Sequence, residues 1–399
     1  MRKYLAWGLV LLSCFFLSSC TNKYYTSQTQ NDLVTETWPK SINTHPSRWT
    51  RNTDAWFLAG EPTRAEVANR NSPYSSAVST MMVRVPNFSM VRVEGSFTVQ
   101  LFSGVDHNSV FVYGPNAEVR NVAVEVREGT LCVYQIPGSG YLRHTIIRIG
   151  VNKLTGLVNI GPGLVEGRQL NSSALRVNLG GSGNILLSGH LRLRQLTSSG
   201  SGNITMLGVV SPAIDIKMYG TGDVNLSGRV GVQSIFHAGY GDLNIIGADS
   251  DGLSINACGS GTVAIVGRAN LRQVEASNFV HVYLYWVRSQ RLRVSTYDNA
   301  CVGLAGFAGT LSVDTHGSSG FEGQYLYADT VYVKTMGKSH ANVAANNKAF
   351  AFALDSSSIY FFGPSAILSK YLKDHGSVIT IPRSSRSKRS CAAGFCGAG

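Results

Sequence analysis

Gly220-Thr221-Gly222-Asp223-Val224-Asn225-Leu226-Ser227-Gly228 reads as a tight corner, a short strand and a second corner, and the chain repeats it. The opening motif recurs as Gly181-Ser182-Gly183-Asn184, Gly200-Ser201-Gly202-Asn203, Gly239-Tyr240-Gly241-Asp242 and Gly259-Ser260-Gly261-Thr262, with successive starts 19, 20, 19 and 20 residues apart. Weaker copies keep the step at Asn278, Asp298, Gly317 and Gly337; one precedes it at Gly161, and the cadence fades into Ser356 and His375. A fixed period near 20 residues marks a stacked array in which each unit is one supersecondary element.

The residues inside a unit identify that element. After each corner the apolar residues alternate: Ile185 and Leu187, Val224 and Leu226, Leu243 and Ile245, Val263 and Ile265, Val282 and Leu284, Val302 and Leu304. Period-two alternation means a strand with one buried face. Glycine closes the run at Gly189, Gly208, Gly228, Gly247 and Gly267. A second alternating run follows, as in Leu175-Val177-Leu179, Ile214-Ile216-Met218, Leu253-Ile255 and Leu292-Val294. The pattern predicts an all-β parallel β-solenoid (β-helix) of about ten coils over residues 161–382. Glycine reaches positive φ without a Cβ clash, and Asn or Asp is the next most tolerant residue, so Gly-x-Gly-Asn/Asp is expected to be a left-handed corner.

The N-terminus carries export features. Residues 1–19 have a basic start (Arg2, Lys3) and an apolar run over residues 4–17, too short for a transmembrane helix and built like a signal peptide. Leu17-Ser18-Ser19-Cys20 resembles the bacterial lipobox, which implies cleavage before Cys20 and a lipid on its sulfur; a plain secretory signal is the alternative. Thr21 rather than Asp after the cysteine implies sorting to the outer membrane, on a periplasmic or surface face that the sequence leaves open. No later segment is long and apolar enough to span a bilayer, so lipid at Cys20 would be the anchor.

Residues 20–80 are polar and tether-like. Yet Trp38, Trp49 and Trp56 are three of the chain's 5 tryptophans, placed either to cap the first coil or to anchor a partner protein. Formal charge over the 399 residues is +12, or +10 once Arg2 and Lys3 are removed (12 − 2). A basic balance fits anionic lipid, acidic glycan or nucleic acid, and export makes nucleic acid the poorest of the three. Residues 383–399 form a tail with Arg383, Arg386, Lys388 and Arg389 before Cys391 and Cys396, which could pair across a short loop.

Between residues 81 and 160 β patterning continues without the Gly-x-Gly cadence. Val91-Arg92-Val93-Glu94-Gly95-Ser96-Phe97-Thr98-Val99, then Glu125-Val126-Arg127-Glu128-Gly129-Thr130-Leu131, then the repeated corners resemble the bacterial auto-transporter adhesin, head GIN domain family. The resemblance covers about residues 82–300 and implies a right-handed β-helical domain on an exported protein or lipoprotein. Beyond Phe279 the corners lose their glycines and depart from the family pattern. The family has no established catalytic residues, so none is carried over.

Chemistry has one place to hide in the repeat. The residue three beyond each corner start forms a column: Asn184, Asn203, Asp223, Asp242, Thr262, His281, Cys301, Gly320, His340. Asp223 with Asp242 could serve as a glycosidase-like carboxylate pair, and His281 with Cys301 as metal ligands. The simpler reading is a polar ladder bonded to corner backbone, because Asn184 and Asn203 hold the same place without an acid to offer. Neither a phosphate-binding loop nor a zinc-type spacing stands out, and no catalytic residue, cofactor or metal is expected. Outward aromatics suit sugar stacking or a protein interface: Tyr283, Tyr285 and Trp286 with Phe279, then Tyr325 and Tyr327 with Phe321 and Tyr332. Arg288 and Arg291, with Arg293, border them and favour an acidic partner. The sequence thus implies a lipid-anchored, adhesin-like, non-enzymatic binding protein for glycan or protein at the cell envelope. A structural subunit of a multiprotein outer-membrane or secretion complex is the second reading, and a polysaccharide-active enzyme the third.

Overall fold

A computed structural model describes residues 78–363 and 367–381. Cys20, Trp38, Trp49, Trp56, Cys391 and Cys396, and what the sequence leads one to expect of them, lie outside these residues. The described chain is a parallel β-solenoid of about 12 turns, with one short helix at Asn116–Val119. The coil count exceeds the expected ten because strands before Gly161 already stack in parallel without the corner motif. Met90–Glu94 pairs with both Thr130–Gln135 and Gly156–Asn159, and Thr98–Ser103 pairs with both Ile146–Val151 and Val165–Leu179. Antiparallel strands cover that end: Val122–Arg127 lies on Thr130–Gln135, and Ser109–Pro115 lies between Val78–Val83 and Ile146–Val151. Such cover protects the edge of the first turns from pairing with other chains.

Each coil points three inward runs at the core. In His281–Thr296 these are Val282 and Leu284, then Val287 and Ser289, then Leu292, Val294 and Thr296. The inward spacing is two within a run and three between runs, so strict alternation breaks where the chain changes face. The middle run has only two inward positions, often one apolar and one small polar residue, and gives no alternation long enough to detect in sequence. The predicted inward pairs, from Ile185 and Leu187 to Val302 and Leu304, are all buried.

The corner glycines work differently from the expectation. None of Gly161, Gly163, Gly181, Gly183, Gly200, Gly202, Gly220, Gly222, Gly239, Gly241, Gly259 and Gly261 has a left-handed φ. They are glycine because consecutive coils touch backbone to backbone: a Cβ on Gly183, Gly202 or Gly222 would lie 1.9 Å from the carbonyl oxygen of Gly163, Gly183 or Gly202, respectively. The later corners are the left-handed ones, with φ of 64° at Asn278, 60° at Asp298, 75° at Gly317, 78° at Gly337, 59° at Asp355 and 57° at Asp374. The turn changes type at Asn278, which is why the Gly-x-Gly motif ends there while the solenoid continues. Below these later corners buried hydroxyls pair from coil to coil: Thr296 with Ser319, Thr315 with Ser339 and Thr335 with Ser357, each at 2.8 Å.

The alternation of 19- and 20-residue coils has its own structural cause. Eight residues past each corner start lies the second corner. In the longer coils it holds Gln169 (φ 51°), Gly208 (77°), Gly247 (83°) and Trp286 (69°), and in the shorter ones Gly189 (137°), Gly228 (137°), Gly267 (138°) and Gly306 (139°). Strand register skips the former group: Leu207 pairs with Ser227 and Val209 with Gly228, Ile246 with Val266 and Ala248 with Gly267, Tyr285 with Ala305 and Val287 with Gly306. Gly208, Gly247 and Trp286 are therefore single-residue bulges, recurring every second coil along one edge.

Candidate functional site

The column at the first corner is a hydrogen-bonded ladder. The amide of Asn203 donates to Asn184 Oδ1 at 2.9 Å, Asp223 N to Asn203 Oδ1 at 2.8 Å, Asp242 N to Asp223 Oδ1 at 2.9 Å and Thr262 N to Asp242 Oδ1 at 2.7 Å. Each side chain accepts the amide of the next coil, so the position asks for a short oxygen acceptor and takes Asn or Asp alike. Asp223→Asn should therefore leave thermal stability unchanged, whereas Asp223→Ala strands the Asp242 amide and should cost about 1–2 kcal/mol in an unfolding titration. Equal losses from both substitutions would contradict the ladder.

Further up the column His281 and Cys301 are register partners in adjacent coils. Burial lowers the His281 pKa, and its Nδ1 meets the Tyr283 hydroxyl at 3.2 Å. Burial pushes the Cys301 thiol up to about 12, away from the thiolate that nucleophilic attack requires. Among the described residues no cluster of histidine, cysteine and acidic groups could hold a metal ion. An open depression of about 310 Å³ beside Gln135 and Ile160 contains one acid, Glu94, which pairs with Arg92.

The aromatic residues separate into two groups. Tyr283 is outward but half-buried: its ring lies over Gly303, where an added Cβ would meet Tyr283 Cδ1 at 2.7 Å. It covers a bare glycine on the sheet and is poorly placed to meet a ligand. Tyr285 is also half-buried, in register with Ala305 and then Tyr325. Phe321, expected outside, is fully buried because it falls in register with inward Val302. Phe279 is exposed at the first corner, away from the other aromatics in its coil.

The second group forms a strip on the middle face. Trp286 stands on the bulge and is 67% exposed. Arg288, Phe307 and Tyr327 are consecutive register partners in three adjacent coils. Phe307 is 65% exposed and stacks on Tyr327, with centroids 5.7 Å apart and planes at 28°. Tyr325 is exposed on the same edge as Trp286, two coils on. Phe307 was missed in the sequence although its position was legible: it follows a second-corner glycine, as do Arg229 and Arg268. Around the next bend Arg291 is in register with Thr310, and Arg293 with Ser312 and then Tyr332. Tyr332 stacks on Phe350 at 4.9 Å and 6°.

The charges on this side are distributed unevenly. Asp249 accepts Arg229 Nε at 2.9 Å and Arg268 Nε at 2.7 Å, and these two hydrogen bonds hold its carboxyl below the usual carboxylate range. Among the described residues no acid pairs with Arg288, Arg291 or Arg293. Arg229 and Arg268 in the preceding coils are thus paired, whereas Arg288, beside Trp286 and Phe307, is not.

The profile of a family described as "Putative auto-transporter adhesin, head GIN domain" matches residues 87–278 and again 268–364, reaching past the corners that lack glycine. No curated protein matches the chain in sequence. Among solved structures, a "putative lipid binding protein" from Parabacteroides distasonis is 13% identical and covers 77% of this chain and 98% of its own, with a TM-score of 0.28. A "putative adhesin" from Bacteroides fragilis is 17% identical with the same coverage of 77% and 98% and a TM-score of 0.24.

Proposed function

From the chain's membership of the auto-transporter adhesin, head GIN domain family, we propose a non-enzymatic binding protein of the cell envelope that works through the outer surface of its solenoid. Membership itself points to the cell envelope or surface and to adhesin-like binding. Trp286 carries the reading. It takes a left-handed φ of 69° in a place where the coils two and four below have Gly247 and Gly208. A bulky residue in that region costs about 1–2 kcal/mol, and its side chain recovers little by burial because it is largely exposed. A strained, exposed tryptophan beside stacked aromatics and unpaired guanidinium groups suits recognition. The proposed anchor is lipid on Cys20 in the outer membrane, with Trp38, Trp49 and Trp56 close to it in sequence. Protein or glycan at the envelope is the partner class.

A second reading, a subunit of a larger envelope complex, draws on the far end of the solenoid. Ile367–Leu372 and Ser377–Ile381 are paired on one side by Lys348–Ala353 register partners and by Ser358–Phe362, and no described strand takes the other side. Tyr371, Leu372 and Ile379 are exposed there. Such an edge is a template for strand addition.

Detergent-extracted envelopes separate the two. A lone protein whose retention of envelope material falls with Trp286→Ala and Phe307→Ala supports the binding protein; fixed-stoichiometry partners insensitive to both substitutions support the subunit. Metabolic labelling with an alkyne fatty acid, lost in Cys20→Ser, tests the anchor, and protease shaving of intact cells tests its face.

A further inference from the structure

The strip on the middle face has a geometry that narrows the class of ligand. Coils repeat at strand spacing, about 4.8 Å, which is close to the advance per ring of an extended 1,4-linked hexopyranose chain. Trp286 and Phe307 are exposed in successive coils, Trp286 beside Arg288, whose register partner is Phe307, so a polysaccharide laid along the solenoid axis would meet an exposed aromatic at each of two successive rings. Phe307 is the exposed member of the Phe307–Tyr327 stack, in which the two rings turn toward each other. Exposed apolar groups on the strip are aromatic: Trp286, Phe307 and Tyr325. A protein interface would draw on a desolvated core behind a polar rim, and this surface is shallow and open to water.

Charge fixes the second property. Arg288 is the register neighbour of Phe307, and Arg291 and Arg293 are exposed in the same coil. None of the three has an acidic partner among the described residues. Guanidinium groups are forked donors that take carboxylates in two parallel hydrogen bonds, so the coil that carries Trp286 offers several donors to a uronate seated there. Resting on the envelope-binding reading above, we propose that this strip binds an anionic, uronate-type polysaccharide running along the solenoid axis, with sugar rings against Trp286 and Phe307 and carboxylates on Arg288 and Arg291.

The test uses the full chain and four immobilised materials: polygalacturonate, neutral dextran, polyglutamate and crude envelope extract. Polygalacturonate should be retained at low salt, weakened at least tenfold by Arg288→Gln with Arg291→Gln, and weakened at least tenfold by Trp286→Ala with Phe307→Ala. Dextran and polyglutamate should bind no better than either double variant binds polygalacturonate. Equal retention of polyglutamate would overturn the proposal, since charge alone would then suffice. Failure to hold polygalacturonate while envelope extract is still held through Trp286 and Phe307 would overturn the ligand class and leave the binding-protein reading intact, with a protein partner on this strip. Loss of neither probe in the variants would end both. Circular dichroism of each variant at the assay temperature excludes unfolding as the cause.

Discussion

Gly222→Ala is expected to lower the stability of the solenoid by at least about 3 kcal/mol. The added methyl would lie 1.9 Å from the Gly202 carbonyl oxygen and 2.6 Å from its carbon, both backbone atoms. No side-chain rotation relieves that contact. Moving the Gly202 coil away presses it on the coil below, because a Cβ on Gly202 would already lie 1.9 Å from Gly183 O. The strain must therefore open the stack or distort several corners, and a closely packed interior resists both. Gly140→Ala is the control: it has open space around its Cβ position and no left-handed φ, so the change should stay within about 0.5 kcal/mol. Denaturant unfolding of the two variants checks the difference. A mild effect at Gly222 would mean that coils are further apart than described.

Trp286→Gly should have the opposite profile, abolishing envelope binding while leaving thermal stability equal or slightly higher. Relief of the left-handed backbone is worth about 1–2 kcal/mol, against a loss of about 0.5–1 kcal/mol for the extra freedom of glycine in the unfolded chain. The bulge itself survives, as it does at Gly208 and Gly247. A melting temperature that falls along with binding would assign Trp286 to the fold instead. The comparison with Gly222→Ala separates a residue that the stack requires from one that the stack tolerates.

Much of this architecture was legible because a solenoid writes its geometry into its period. The inward pairs and the closing glycines were all visible as alternation and punctuation, and the Asn184–Asp242 column was recognisable as a ladder by its indifference to charge. The cause of the corner glycines was not. Composition cannot distinguish a residue that needs left-handed φ from one that needs a neighbouring backbone at contact distance, and both choose glycine. Register was the other obstacle. Phe321 looked like a companion of Tyr325, but one residue of offset between strand faces places it inside against Val302. Phe307 went unnoticed between small residues, although the bulge at Trp286 shifts the pairing so that it follows Arg288. A single inserted residue in every second coil decides which side chains share the strip.

That register is open to direct measurement by cysteine cross-linking in a chain whose native cysteines beyond Cys20 are replaced by serine. Register neighbours in adjacent coils have α-carbons about 4.8 Å apart, within disulfide reach, and positions two coils apart lie near 10 Å, beyond it. Mild oxidation should join Arg288→Cys to Phe307→Cys and leave Arg288→Cys with Tyr327→Cys as free thiols. Bridging of the second pair instead of the first, or of neither, would contradict the stacking of these coils and the shared face built on it.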